Sequence, residues 1–156
     1  MMLTLTQETD RIADQLRLFY FGPSWLGPSL KEILIDVDEE RARSRPLPTT
    51  HTIWELVLHI AAWLRISRER LSATSIRDPD EQENWPDMTG SWQDAIKSLE
   101  AETCNLEQAI RGFPEERLEE KAPASEAQTF YVLLHGVIQH SAYHAGQVAL
   151  LKKTSV

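Results

Sequence analysis

The sequence predicts an all-α fold: a four-helix bundle with a long crossover connection and a short extra helix. Three observations carry this. Four long segments repeat apolar residues every three to four positions, the spacing of one helix face. No segment alternates apolar and polar residues as a half-buried strand does. Glycines, prolines and charged runs separate the segments where helices break. At 156 residues the chain is expected to form one domain spanning 1–156. A domain of this size buries roughly 70% of the surface its unfolded chain exposes, so it needs no covalent staples. Its 42% hydrophobic and 26% charged residues are those of an ordinary globular protein, not a disordered one.

The first helix is predicted from Thr4 to Phe21, with Leu5, Ile12, Leu16 and Phe19 on one stripe and Thr4 and Gln7 as a capping box. Gly22, Pro23, Gly27 and Pro28 end it. A shorter helix is expected from Ser29 to Glu40, ending in the polar run DEERARSRPLP. The second long helix starts at a Thr52–Glu55 capping box and runs to Ser72. Residues Ala73 to Thr89 read as a loop, long enough to have a function of its own. The third long helix spans Ser91 to Gly112, with Trp92, Ile96, Leu99, Leu106 and Ile110 on its apolar stripe. The acidic stretch PEERLEEKAPA leads to the fourth, from Glu126 to Lys153, with Ser125 and Gln128 as a capping pair. The first connection, about 30 residues, is too long for a hairpin and is expected to cross the end of the bundle.

With 16 basic and 24 acidic residues the net charge is -8. Such a surface repels phosphate backbones and anionic lipids, which argues against nucleic-acid and membrane partners. The single cysteine, Cys104, allows no internal disulfide and fits a reducing compartment. It reads as a small helix residue, because nothing at a suitable spacing would activate its thiol. The N-terminal stretch has acidic residues and no apolar run, unlike a secretory signal, and the apolar segments are too short to span a bilayer. A cytoplasmic protein is expected.

The chemistry lies in the histidines. Successive helical residues advance about 100°. On the fourth helix, with His140 at zero, His144 falls at about 40° and Leu133, Val137, Val148 and Leu151 between about 20° and 80°. Both histidines therefore share the apolar, inward face, while His135 falls at about 220°, near the outside. On the second long helix His59 also lies on the apolar stripe, beside Leu56, Ile60 and Trp63. Imidazoles at i and i+4, with a third from a facing helix, can form a three-histidine metal site, as bundle cores commonly do. Three neutral imidazoles leave a divalent ion its full charge and an open position, where it lowers the pKa of a bound water. The alternative is a set of histidines that complete a polar core through hydrogen bonds; without partners their burial would be costly.

Several neighbours carry two readings each. Glu55 is a capping residue or a carboxylate serving the site, the capping role being favoured. Gln147, at about -20°, orients a ligand or packs as an amide. Tyr143, at about -60°, lines a pocket or is a structural phenol. His51 leads into the second long helix and is not expected to be a ligand. Trp54 and Trp63 are packing residues, Trp63 being close enough to His59 to wall a pocket.

The segments HTIWELVLHIAAW and LLHGVIQHSAYHAGQVALL resemble the two signature helices of the DinB-like superfamily, whose YfiT-like members are described as metal-dependent hydrolases. The specific part is H-x-x-x-H-x-G-Q in the second segment together with the single histidine in the first. The resemblance implies a divalent ion, often nickel or zinc, held by one histidine of the second long helix and two of the last: His59, His140 and His144. It also implies homodimers and a likeness to enzymes that use low-molecular-weight thiols, such as bacillithiol S-transferases and mycothiol-dependent maleylpyruvate isomerase.

The expected function is that of a metal-dependent enzyme acting on a small molecule, its ion activating either a water for hydrolysis or a thiol for S-transfer. The competing reading is a non-catalytic metal- or small-molecule-binding dimer of the stress-response type, favoured by the lack of a convincing general base. The loop at 73–89 and the Gly22–Pro28 region are expected to shape the substrate pocket. Imidazole ligands do not choose between nickel, zinc, copper and iron.

Overall fold

The structure, a computed structural model, describes residues 7–124 and 126–154. Within them the chain forms α1 (Glu8–Phe21), α2 (Leu30–Leu34), α3 (Glu39–Arg43), α4 (Ile53–Arg70), α5 (Glu81–Asn84), α6 (Trp92–Arg111) and α7 (Phe130–Thr154), with a 3₁₀ turn at Glu115–Arg117. No strand forms among the described residues. The four long helices close a ring in which α1 packs on α6, α6 on α4, α4 on α7 and α7 back on α1. Consecutive long helices α1 and α4 are therefore diagonal, and the connection between them crosses the bundle end as expected. A second diagonal step, from α6 to α7, is made by residues 112–129.

Local chemistry sets the boundaries. Gly22 ends α1 at φ 82°, a conformation that favours glycine, with its N–H on the Leu18 carbonyl. The predicted Thr4–Gln7 cap and Leu5 involve residues outside those described. The helix expected over Ser29–Glu40 is instead two short ones. Ser29 and Glu32 form a capping box for α2, and Asp38 starts α3 by accepting from the Arg41 N–H. Asp38 thus restarts the helix inside a run that reads as exposed polar chain. The Thr52–Glu55 box opens α4 as predicted, with both reciprocal hydrogen bonds formed. Ser91 and Asp94 do the same for α6.

Two further predictions are corrected. The loop at 73–89 contains α5, capped by Asp80 and Glu83 in a box of its own. The last helix starts at Phe130 rather than Glu126. Residues 126–129 are held away from helical geometry by the preceding segment: the Ala122 N–H donates to the Gln128 carbonyl, and Lys121 bridges Thr129. Thr129 Oγ1 then accepts from the Val132 N–H at 3.3 Å. Ser125 of the predicted capping pair lies outside the described residues.

The core runs along the bundle axis through Ile12, Leu16, Trp54, Ile60, Leu99, Leu106, Leu134 and Val148, all buried. Trp92 joins it and donates its indole N–H to the Val37 carbonyl at 2.7 Å, tying α6 to the crossover. Arg111 links α6 to α1 through Asp10 and Asp14. No helix among the described residues is long and apolar enough to cross a membrane.

Candidate metal centre

His59 faces inward from the middle of α4, and His140 and His144 face it from successive turns of α7. His59 and His144 are buried and His140 is half-buried. Their Nε2 atoms converge: His140 Nε2 lies 3.1 Å from that of His59 and 3.0 Å from that of His144. Nitrogen ligands around one tetrahedral ion at ordinary zinc–imidazole distances stand roughly 3.3 Å apart.

The outward nitrogens decide which way two of the rings are protonated. His59 Nδ1 lies 2.6 Å from the Asn84 carbonyl oxygen, which can only accept. His144 Nδ1 lies 2.6 Å from Gln147 Oε1, likewise an acceptor. Both rings therefore carry hydrogen on Nδ1 and turn an Nε2 lone pair toward His140. A single proton on His140 Nε2 can satisfy only one of those lone pairs at a time. His140 Nδ1 is buried without a partner among the described residues. A cation among the three Nε2 atoms resolves this arrangement, so the residues fit a divalent ion; hydrogen bonding among themselves does not complete it.

Burial holds the cluster neutral. It pushes His59 and His140 from 6.5 down to about 4; neighbouring imidazoles add to the shift, and the Asn84 carbonyl partly opposes it for His59. Burial also lowers His144, against the hydrogen bond it donates to Gln147. Neutral imidazole is the form that ligates a metal.

The segment around α5 builds the surroundings that periodicity does not reveal. Trp85 stacks on His59, with centroids 3.8 Å apart, and on His51, with centroids 3.6 Å apart. Two rings so close to one centroid must lie on opposite faces, so the indole is clamped between them. Trp63 donates its indole N–H to Asn84 Oδ1 at 2.7 Å, which fixes the residue whose carbonyl orients His59. The signal that could have located α5 is the Asp80-x-x-Glu83 capping pattern.

The remaining candidates sort cleanly. Glu55 accepts from the Thr52 N–H at 2.6 Å and from Arg45 Nη2 through both oxygens, so it serves the cap and an ion pair. Burial raises its pKa, but these hydrogen bonds and the Arg45 charge outweigh it and leave the group below its usual value. Gln147 orients His144, and Tyr143 sits exposed at the rim, accepting from Gln147 Nε2. His51 is exposed and outside the cluster. His135 packs beside Tyr131 away from the cluster; it is half-buried rather than outside, with Nε2 enclosed and unpartnered. Trp54 is fully buried packing, as expected.

A cavity of about 480 Å³ opens beside His140, walled by Trp63, Leu133, Val137 and, from the 73–89 segment, Asp78 and Pro79. The Gly22–Pro28 region does not reach it. Ser24, Leu26 and Pro28 line a separate cavity of about 550 Å³ against Gly146 and Ala149 of α7.

Comparison with known proteins agrees with this fold. The crystal structure of a conserved protein from Enterococcus faecalis superposes with a TM-score of 0.67 at 17% identity, covering 99% of this chain and 98% of that one. No curated protein matches the chain. The family model of the DinB superfamily matches residues 28–148, which include all three histidines of the cluster. The chain belongs to the DinB superfamily.

Proposed function

We propose that His59, His140 and His144 hold one divalent ion, zinc or nickel, and that the protein is a metal-dependent enzyme acting on a small molecule. The observation that supports it is the convergence of three Nε2 atoms, two of them on rings locked through Nδ1 onto carbonyl acceptors. An ion there supplies Lewis acidity that favours the deprotonated form of a water, for hydrolysis, or of a low-molecular-weight thiol, for S-transfer. Asn84 and Gln147 hold the ligating rings in orientation. Trp85 covers one face of His59 and keeps water from it. The test is turnover of thiol–electrophile conjugation and of ester or amide hydrolysis with zinc- or nickel-loaded protein. Metal-dependent turnover that disappears in His59→Ala supports the enzyme reading.

One observation favours the non-catalytic reading: Glu55, the carboxylate nearest in sequence to His59, is committed to Thr52 and Arg45 and offers no base. That reading predicts saturable metal and ligand binding with no turnover of either substrate class. We also propose a homodimer. Leu26 lies exposed beside the small residues Gly146 and Ala149, and Trp25, Ile35, Tyr143 and Leu150 are exposed as well. A monomer by light scattering across micromolar concentrations would contradict it.

A further inference from the structure

On α4, His59, Trp63, Ser67 and Arg70 follow one another at spacings of four, four and three, one continuous stripe of the helix. On α7, Leu133, Gly136, Val137 and His140 form the opposing stripe. The cavity of about 480 Å³ lies between the two, with His140 among its lining residues and Ser67 and Arg70 further along α4. Eleven residues of helix separate His59 from Arg70, about 16 Å of axis, and the volume is that of a small-molecule site. Gly136 lines this space, and a Cβ added there would meet nothing within 4 Å.

Arg70 and Ser67 are the unexplained groups. Arg70 is 6% exposed and Ser67 0%. The Arg70 guanidinium rests over the Trp63 ring, 5.7 Å from its centroid. Among the described residues its hydrogen bonds all run from Nη2, to Asp78 Oδ1 at 3.0 Å and to the Arg77 carbonyl at 3.4 Å. Arg70 Nε and Ser67 Oγ are buried with no hydrogen-bond partner among the described residues. Buried donors of this kind are normally satisfied, and a buried guanidinium above all. Asp78 occupies one nitrogen, and its carboxylate is 44% exposed, where water screens it. Glu126 also lines the cavity but is exposed. The remaining lining is largely apolar: Trp63, Pro79, Leu133 and Val137.

We infer that this cavity binds an apolar small molecule bearing a carboxylate, the carboxylate taken by the Arg70 guanidinium and the other end reaching His140. The contact at His140 rests on the metal centre proposed above; the Arg70 end does not. A carboxylate matches the fork of a guanidinium with charge-assisted hydrogen bonds, whereas an uncharged amide offers it weaker ones.

The test uses cinnamate and its uncharged counterpart cinnamamide, titrated into the full chain by calorimetry, metal-stripped and zinc-loaded, with zinc content read in parallel. Metal-stripped wild type should bind cinnamate roughly tenfold more tightly than the amide. Arg70→Met, which keeps the stem and removes the charge, should abolish that preference while leaving zinc content unchanged. Gly136→Phe should weaken both probes by filling the cavity. Equal affinities, binding of neither probe, or a preference that survives Arg70→Met overturns the assignment. So does a preference present only with zinc, since the carboxylate would then sit on the ion. If Arg70→Met does not fold, the wild-type comparison and Gly136→Phe decide. A cinnamate preference in a protein that takes up no zinc would support this inference and overturn the metal reading alone.

Discussion

The Trp85 indole lies face to face with the His59 imidazole, with centroids 3.8 Å apart and planes 8° from parallel. The residue before it, Asn84, accepts the His59 Nδ1–H through its backbone carbonyl. One short segment therefore controls both the tilt and the tautomer of a candidate ligand. Trp85→Ala should weaken zinc binding about tenfold while leaving the helical content intact. A competition titration against a zinc chelator reads this, and an unchanged affinity would remove Trp85 from the account.

Gln147 plays the same part for His144. Gln147→Leu keeps the bulk and removes the acceptor, so zinc affinity should fall roughly 10- to 100-fold. Stability of the metal-free protein should change little, because the half-buried amide bonds only His144 and the exposed Tyr143 among the described residues. A large loss of stability with unaltered affinity would make Gln147 a packing residue instead.

Glu55 is expected to contribute to stability and not to chemistry. Glu55→Gln should cost about 1 kcal/mol through the weakened capping box and the lost Arg45 pair. Metal content, and any turnover found, should stay within about twofold of wild type. Loss of turnover with full metal occupancy would restore the general-base role.

Acid should destabilise the metal-free fold. Unfolded histidines take up protons below about 6.5, whereas His59 and His140 in the folded cluster stay neutral down to about 4. The unfolded state then binds more protons, so unfolding free energy falls as pH drops from 6.5 toward 4. Replacing both residues by Ala should flatten this part of the profile. Urea melts across this range report it; identical profiles for wild type and the double variant would contradict it.

Trp92→Phe tests the crossover. It preserves most of the ring packing and deprives the buried Val37 carbonyl of its donor. The expected cost is about 1–3 kcal/mol by urea denaturation, with zinc binding unchanged.

Much of this molecule is legible in its sequence because local rules and tertiary packing agree. Thr52–Glu55 and Ser91–Asp94 mark the starts of α4 and α6, and a step of about 100° per residue brings His59, His140 and His144 to inward faces. The failures have identifiable causes. Asp38 caps a new helix inside a polar run, which periodicity cannot mark as a boundary. Residues 126–129 are held by backbone bonds to a segment that is not regular structure. Trp85 reaches His59 through the fold of an aperiodic loop, so no spacing in the sequence connects them. Arg70 was open to detection, standing on the same α4 stripe as His59.

The most direct measurement is elemental analysis of tag-free protein, purified without a nickel column, beside a His59→Ala/His144→Ala variant. A three-histidine metal centre requires near-stoichiometric divalent metal in the wild type, as isolated or after incubation with zinc or nickel, and little in the variant. Absence of metal from both, even after that incubation, would contradict it and leave the three histidines as core residues.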